Sequence, residues 1–213
     1  MNKYIISFLI IAGLFLIPTT VLAADYNITN VDIYAYLQEN GDVIVEEQHT
    51  YEFKGKFGGI IRELIAKNES EIVNFEAFEN NKPLQIESDK TEYRIHREGK
   101  DETITIDLVY TIINGVNVYS DVADFYWPFF DKGNESTYGN LTVYVIPPEP
   151  TTALVAFGYD EAYNAETVLD DGQVQFAMGE VKRKRQGIFG LHILLRYFLQ
   201  VLLRRISLCM INL

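Results

Sequence analysis

From Thr29 to Met178 the chain repeats one pattern, a short run of alternating apolar and polar side chains followed by a turn. Alternation at every second residue places successive side chains on opposite faces of a strand, so each run has one face to bury and one to leave in water. Val31, Ile33, Ala35 and Leu37 alternate with Asp32, Tyr34 and Tyr36. Asn40-Gly41 comes next, a pair that tolerates the positive φ of a tight hairpin. Val43, Val45, Tyr51 and Phe53 then share one parity, against Ile44, Glu46, Gln48 and Thr50. Further runs over 72–78, 84–87, 92–97, 103–110, 141–146, 153–157 and 174–178 are separated by turn chemistry such as Asn80-Asn81-Lys82-Pro83, Asn114-Gly115 and Asp170-Asp171-Gly172. About ten strands at spacings of about 8 to 12 residues, with no helical periodicity, predict an all-β fold. An immunoglobulin-like antiparallel β-sandwich is the first expectation and a jelly roll the second.

The stretch Val118 to Phe130 gathers Phe125, Tyr126, Phe129 and Phe130 around the single tryptophan, Trp127. Aromatic side chains bury large areas, so Trp127 is expected in the core. A glycan-stacking platform on Tyr126, Trp127, Phe129 and Phe130 is the competing expectation. Phe53 to Arg62, with three glycines, breaks the alternation. It reads as a bulged connection at a sheet edge, with Arg62 paired to an acid or facing solvent. Tyr126, Trp127, Phe129 and Arg62 are therefore the candidate contacts for a ligand or partner.

Charge divides the chain. All 30 acidic residues lie between Asp25 and Glu180, where they face 10 basic ones, a formal charge of -20. A body this acidic repels phosphate backbones and argues against nucleic acid. At the start, Lys3 precedes an uncharged run to Ile17, then Pro18 and Ala23. That is the layout of a signal peptide over residues 1–23, and the run is shorter than the roughly 20 residues of a spanning helix. The chain is thus expected to be exported, with the sandwich over 24–180. Its only cysteine is Cys209, so the sandwich must rest on its core and not on disulfides.

Sequence alone names no reaction. His49 shares the parity of Tyr51 and Phe53 and reads as a core or edge histidine, and His96 stands among arginines as a solvated one. Two body histidines without a cysteine make a poor zinc set. Asp131, Asn134 and Glu135 lack the spacing of a calcium loop. No catalytic residue, metal ligand or cofactor is assigned.

The hairpin Leu37 to Val43, the segment Phe53 to Arg62, and Tyr119-Ser120-Asp121 leading through Tyr126-Trp127 to Leu141–Pro147 resemble the N-terminal domain of the DUF2207 family of predicted bacterial and archaeal membrane proteins. The resemblance implies an exported β domain followed by transmembrane helices, so membrane anchoring is expected in the full-length family form.

Residues 181–213 depart from that pattern, being basic and apolar. One account is a membrane span over Ile188 to Leu203, burdened by Arg196 at its centre. Another is an interfacial helix carrying His192, Arg196, Gln200 and Arg204 as one polar stripe. The third is a shifted reading frame: codons permitted for Gln186 to Gln200, read from the third base of the Gly187 codon, give D-I-R-V-A-Y-P, which alternates as a strand and makes this chain a truncated fragment. The expected function is a non-enzymatic structural or protein-interaction module at the cell surface, meeting a protein or another cell-envelope component. The alternatives are a glycan-binding module using Tyr126 and Trp127, and a carboxylate-based glycosidase.

Overall fold

The computed structural model describes residues 25–67 and 70–194, so the expected signal peptide lies outside the described residues. The chain forms β1 (Asp25–Leu37), β2 (Val43–Lys54), β3 (Lys56–Glu63), β4 (Glu71–Glu79), β5 (Lys82–Pro83), β6 (Gln85–Asp89), β7 (Glu92–Lys100) and β8 (Thr103–Ile113). It continues with β9 (Val116–Val118), β10 (Val122–Phe130), β11 (Tyr138–Ile146), β12 (Leu154–Asp160), β13 (Glu166–Val168), β14 (Val174–Val181) and β15 (Gly187–Leu194). No helix occurs among the described residues, and none there is long and apolar enough to cross a membrane.

One large sheet runs β13-β14-β11-β1-β2-β8-β4-β5, and two smaller sheets run β12-β15-β10-β9 and β3-β7-β6. The hairpin predicted at Asn40-Gly41 joins β1 to β2, with Gly41 at φ 90° and Leu37 opposite Val43. Pairing is antiparallel except between β1 and β11, which run parallel with Val31 opposite Leu141. Both small sheets cover the same face of the large one. Phe176 of β14 meets Phe189 of β15 edge-on at 5.1 Å, and Phe75 of β4 stacks on Tyr93 of β7 at 3.9 Å. The result is the all-β sandwich that the alternation predicts.

The inward faces follow the sequence parity. In β2, Val43, Val45, Tyr51 and Phe53 are buried, and in β8, Ile104, Ile106, Leu108 and Tyr110. Phe53-Lys54-Gly55-Lys56 is the crossing from the large sheet to a small one. Gly55 adopts φ 89°, β3 carries a register shift between Phe57 and Gly59, and the Phe53 and Phe57 rings stack at 3.7 Å across the joint. Arg97 of β7 ties this sheet to the large one through Glu79 of β4 and Glu102, each gripped by two N–H bonds of 2.9 Å.

Trp127 is 3% exposed within the core. Pro128 sits where β10 has β15 on one side and has run past β9 on the other, at a register shift, a position where its missing N–H costs no ladder bond. Emission from Trp127 is expected to be blue-shifted in the native protein and to move red in urea. A native spectrum already at the position of solvated indole would contradict this packing.

The sandwich does not stop at Glu180. β14 ends at Val181, and β15 lies between β10 and β12, pairing Phe189 with both Trp127 and Gly158. Phe189, Leu191 and Ile193 point inward and are buried, while His192 and Leu194 point outward. That two-residue period corrects the helical reading for Gly187–Leu194, His192 included: apolar side chains on one face suit a slot between two strands. Arg196, Gln200 and Arg204 lie outside the described residues.

Candidate functional site

β2 carries two polar side chains on its buried face. Glu47 and His49 hold the same odd parity as Val43, Val45, Tyr51 and Phe53, and both are 1% exposed. An ionised carboxylate in an apolar interior survives only if it is paired and hydrogen-bonded. Arg62 of β3 supplies the charge. Its Nε donates to Glu47 Oε2 at 2.9 Å and an Nη to Oε1 at 2.9 Å, a two-point grip. His49 Nε2 donates to Oε2 at 2.7 Å, and the Tyr110 hydroxyl donates to Oε1 at 2.8 Å. Glu47 can only accept, so Nε2 carries the proton in that contact, and His49 Nδ1 lies 3.4 Å from the Tyr51 hydroxyl. The rest of Arg62 is used on the main chain, with the Glu63 carbonyl at 2.8 Å and the Phe129 carbonyl at 3.2 Å.

The electrostatics follow from these contacts. Burial pushes the Glu47 carboxyl up, but the charge of Arg62 and the hydrogen bonds from His49 and Arg62 outweigh it and hold the group well below the usual carboxylate range. Burial would pull Arg62 down, and the Glu47 charge more than restores it. Burial drives the Tyr51 and Tyr110 phenols well above their ordinary range. Four donors fill both oxygens of Glu47, so it has no lone pair turned toward a substrate. The cluster is a fastening between the large sheet and β3.

Beside it opens a cleft of about 550 Å³, within the size range of ligand pockets, roughly 300–1,000 Å³. One wall is the end of β3 and the strap after it, from Ile60 to Ala66, and the facing wall is the loop from Phe130 to Ser136. Tyr51 and Tyr138 form its floor and Tyr26 its lip, where the Tyr26 hydroxyl bonds Ser136 Oγ at 2.9 Å. The loop is held by its own turns: Asp131 Oδ1 accepts from Gly133 N at 2.7 Å, and Asn134 Oδ1 accepts from Ser136 N at 3.2 Å.

The residues singled out from sequence are only partly brought together. Arg62 lies at the cleft and pairs with an acid. Trp127 and Phe129 are core residues, each 3% exposed, so neither offers a ring to an external sugar. Tyr126 points the other way, to the outer face of β10, where Phe157 and Tyr159 of β12 stand within 6.4 Å and 6.0 Å and Lys67 Nζ sits 4.0 Å above its ring. His192 lies beside it with Nε2 3.0 Å from Asp124 Oδ1. His96 is a half-exposed side chain 3.3 Å from Glu87. Among the described residues no group of three His, Cys, Asp or Glu side chains is arranged to hold a metal ion. Sequence reading passed over Glu47 as a site residue. Its signal is an acid on the buried parity of a strand, two residues before a histidine on the same parity.

The sequence model of the predicted membrane protein (DUF2207) N-terminal domain matches residues 27–187. The chain belongs to this family. The match contains the whole Glu47–Arg62 cluster and both walls of the cleft, so the DUF2207 domain is the unit that builds them. No curated protein matches the chain. Among solved structures it is similar to the M1 zinc metallopeptidase from Deinococcus radiodurans, with TM-score 0.49 and 11% identity over 78% of this chain and 42% of that one. A two-domain M1 zinc metallopeptidase bound to L-tryptophan gives 0.50 and 11% over the same shares. Legionella pneumophila aminopeptidase A in complex with aspartic acid gives 0.46 and 13%, over 81% and 22%. The chain spans less than half the length of each, and the match at 0.50, with 11% identity, shows a likeness of fold alone.

Proposed function

We propose that this DUF2207 domain is the extracytoplasmic interaction module of a membrane-anchored protein, binding a protein or another cell-envelope component at the cell surface without catalysing a reaction. The observation that carries this reading is a spent polar centre beside an open cleft. The most strongly perturbed carboxylate, Glu47, has every lone pair occupied and serves to hold β3 in place. The side chains around it instead offer shape and apolar contact, with Ile61 61% and Tyr26 43% exposed at the cleft. Exposed apolar side chains grouped at a cleft suit association. The charge of -20 over Asp25–Glu180 favours a neutral or basic partner over an acidic one.

The compartment is tested by producing the full-length gene product in cells with Cys209→Ser and Lys132→Cys, then adding a membrane-impermeant maleimide. Lys132 is exposed in the loop beside the cleft. Labelling of intact cells at the rate seen after lysis is the expected result. Labelling only after lysis overturns the proposal.

A further inference from the structure

We infer that the cleft beside β3 receives an extended, cationic peptide segment, added to β3 as one more strand; this rests on the reading of the domain as an interaction module. β3 is the first strand of its sheet, bonded to β7 on one side, and no strand pairs with its other side among the described residues. Leu64 N donates to Thr91 O at 2.9 Å, in register with the pairs Arg62–Tyr93 and Ile60–Ile95. Ladder bonds of an antiparallel pair alternate, so the main-chain groups of Ile60 and Arg62 serve β7, and those of Ile61 and Glu63 point away from it. The Glu63 carbonyl is taken by Arg62. That leaves the N–H and C=O of Ile61 and the N–H of Glu63 turned toward the cleft, the pattern a peptide strand reads in β-augmentation.

An edge this long is ordinarily blunted by a charge, a proline or a covering element. Three other edges are protected by brevity, with three residues each in β9 and β13 and two in β5. β3 has eight residues, and its middle is Gly58-Gly59-Ile60-Ile61. The charge of the slot selects the guest. Glu63, Asp131 and Glu135 line it, and among the described lining residues the cation is Arg62, already bound to Glu47 and to two carbonyls, while Lys132 of the facing loop does not line the slot. Ile61 and Glu63 lie on one face of β3 by the two-residue period, so an added strand that alternates Lys or Arg with an apolar residue sets its cations beside Glu63 on that face and turns its apolar side chains to the face of Ile60.

The test uses the full chain and three labelled, end-blocked peptides: a Lys-Val repeat, a Glu-Val repeat, and the Lys-Val repeat N-methylated at alternate residues. The Lys-Val repeat is expected to bind with salt-sensitive affinity and the Glu-Val repeat not to bind. N-methylation, which removes backbone bonds and leaves the side chains, is expected to weaken binding about tenfold or more. Ile61→Pro is expected to abolish binding and leave thermal stability near that of the parent, because the lost N–H is not part of the β7 ladder. Should that variant fail to fold, Glu63→Lys with Glu135→Lys keeps every backbone bond and is expected to reverse the preference toward the Glu-Val repeat. Equal binding of methylated and unmethylated peptides, or binding of neither, overturns the inference. So does dimerisation that Ile61→Pro abolishes, which makes the added strand a second copy of this chain. Surface labelling at Lys132→Cys is independent of these outcomes, so a labelled domain that binds no peptide loses the slot and keeps the module.

Discussion

Replacing Arg62 with alanine is expected to cost about 3–5 kcal/mol of stability, the range for breaking a buried ion pair from one side. The loss comes less from the missing bonds than from the charge left behind. Glu47 is fully enclosed, and without the guanidinium it keeps only the His49 and Tyr110 donors. Glu47→Gln strands Arg62 in the same way. Replacing both residues with methionine is expected to cost less than the sum of the single changes, since no ion then remains in the core, though His49 and Tyr110 still lose their acceptor. Urea midpoints at constant slope measure all three. A cost for Arg62→Ala below about 1 kcal/mol, the value of an exposed pair, would mean that Glu47 reaches water.

The same contacts fix a pH dependence. The folded pKa of Glu47 lies well below its ordinary value, so folding favours the ionised form. Its contribution is complete above the unfolded-state value of about 4.3 and is lost as pH falls below that value toward the depressed folded one. Protonating the many surface carboxylates acts in the opposite sense, by relieving the self-repulsion of a body at -20. The parent and Glu47→Gln share that background, so their difference isolates the cluster. It should be constant near neutrality and shrink as the solution is acidified below about pH 4.

The strands were legible because each has two unlike faces. Val31 to Leu37 and Ile104 to Tyr110 alternate without interruption, and their buried sides are those the parity assigns. The sheet that each strand joins was not legible. Nothing in Leu141–Ile146 distinguishes a parallel from an antiparallel neighbour, and β1 takes β11 in parallel through a pairing between residues more than a hundred positions apart. The aromatic stretch was half read. Trp127 and Phe129 share one parity and enter the core, and Tyr126 takes the other and faces out, so a single strand cannot present all three to one ligand. Glu47 was hidden by its type: an acid beside Glu46 looks solvated until Arg62, 15 residues later, is seen to fold back over it. The cleft belongs to tertiary structure outright, since its two walls are 70 residues apart in the chain and meet only when β3 leaves the large sheet.

Phe189→Ala is expected to be as damaging as any change in the interior. The side chain is fully buried, with ring centroids of Phe129 at 5.7 Å, Phe130 at 6.1 Å and Phe176 at 5.1 Å, so truncation removes a filled volume between the two layers. Such aromatic truncations cost about 3–5 kcal/mol, which in a domain of this size lowers Tm by roughly 6–20 °C. Leu194→Ala is the control: it lies in the same strand on the outward face, 52% exposed, and is expected to change stability by no more than about 0.5 kcal/mol. The contrast between two positions five residues apart depends on strand periodicity. A segment that instead begins a membrane span or an interfacial helix at Ile188 would give Phe189→Ala no effect on the sandwich and a weaker hold on lipid vesicles. A large loss at Phe189 with none at Leu194 makes residues 187–194 a structural strand of the domain, and it requires whatever this protein uses to hold the membrane to lie outside them.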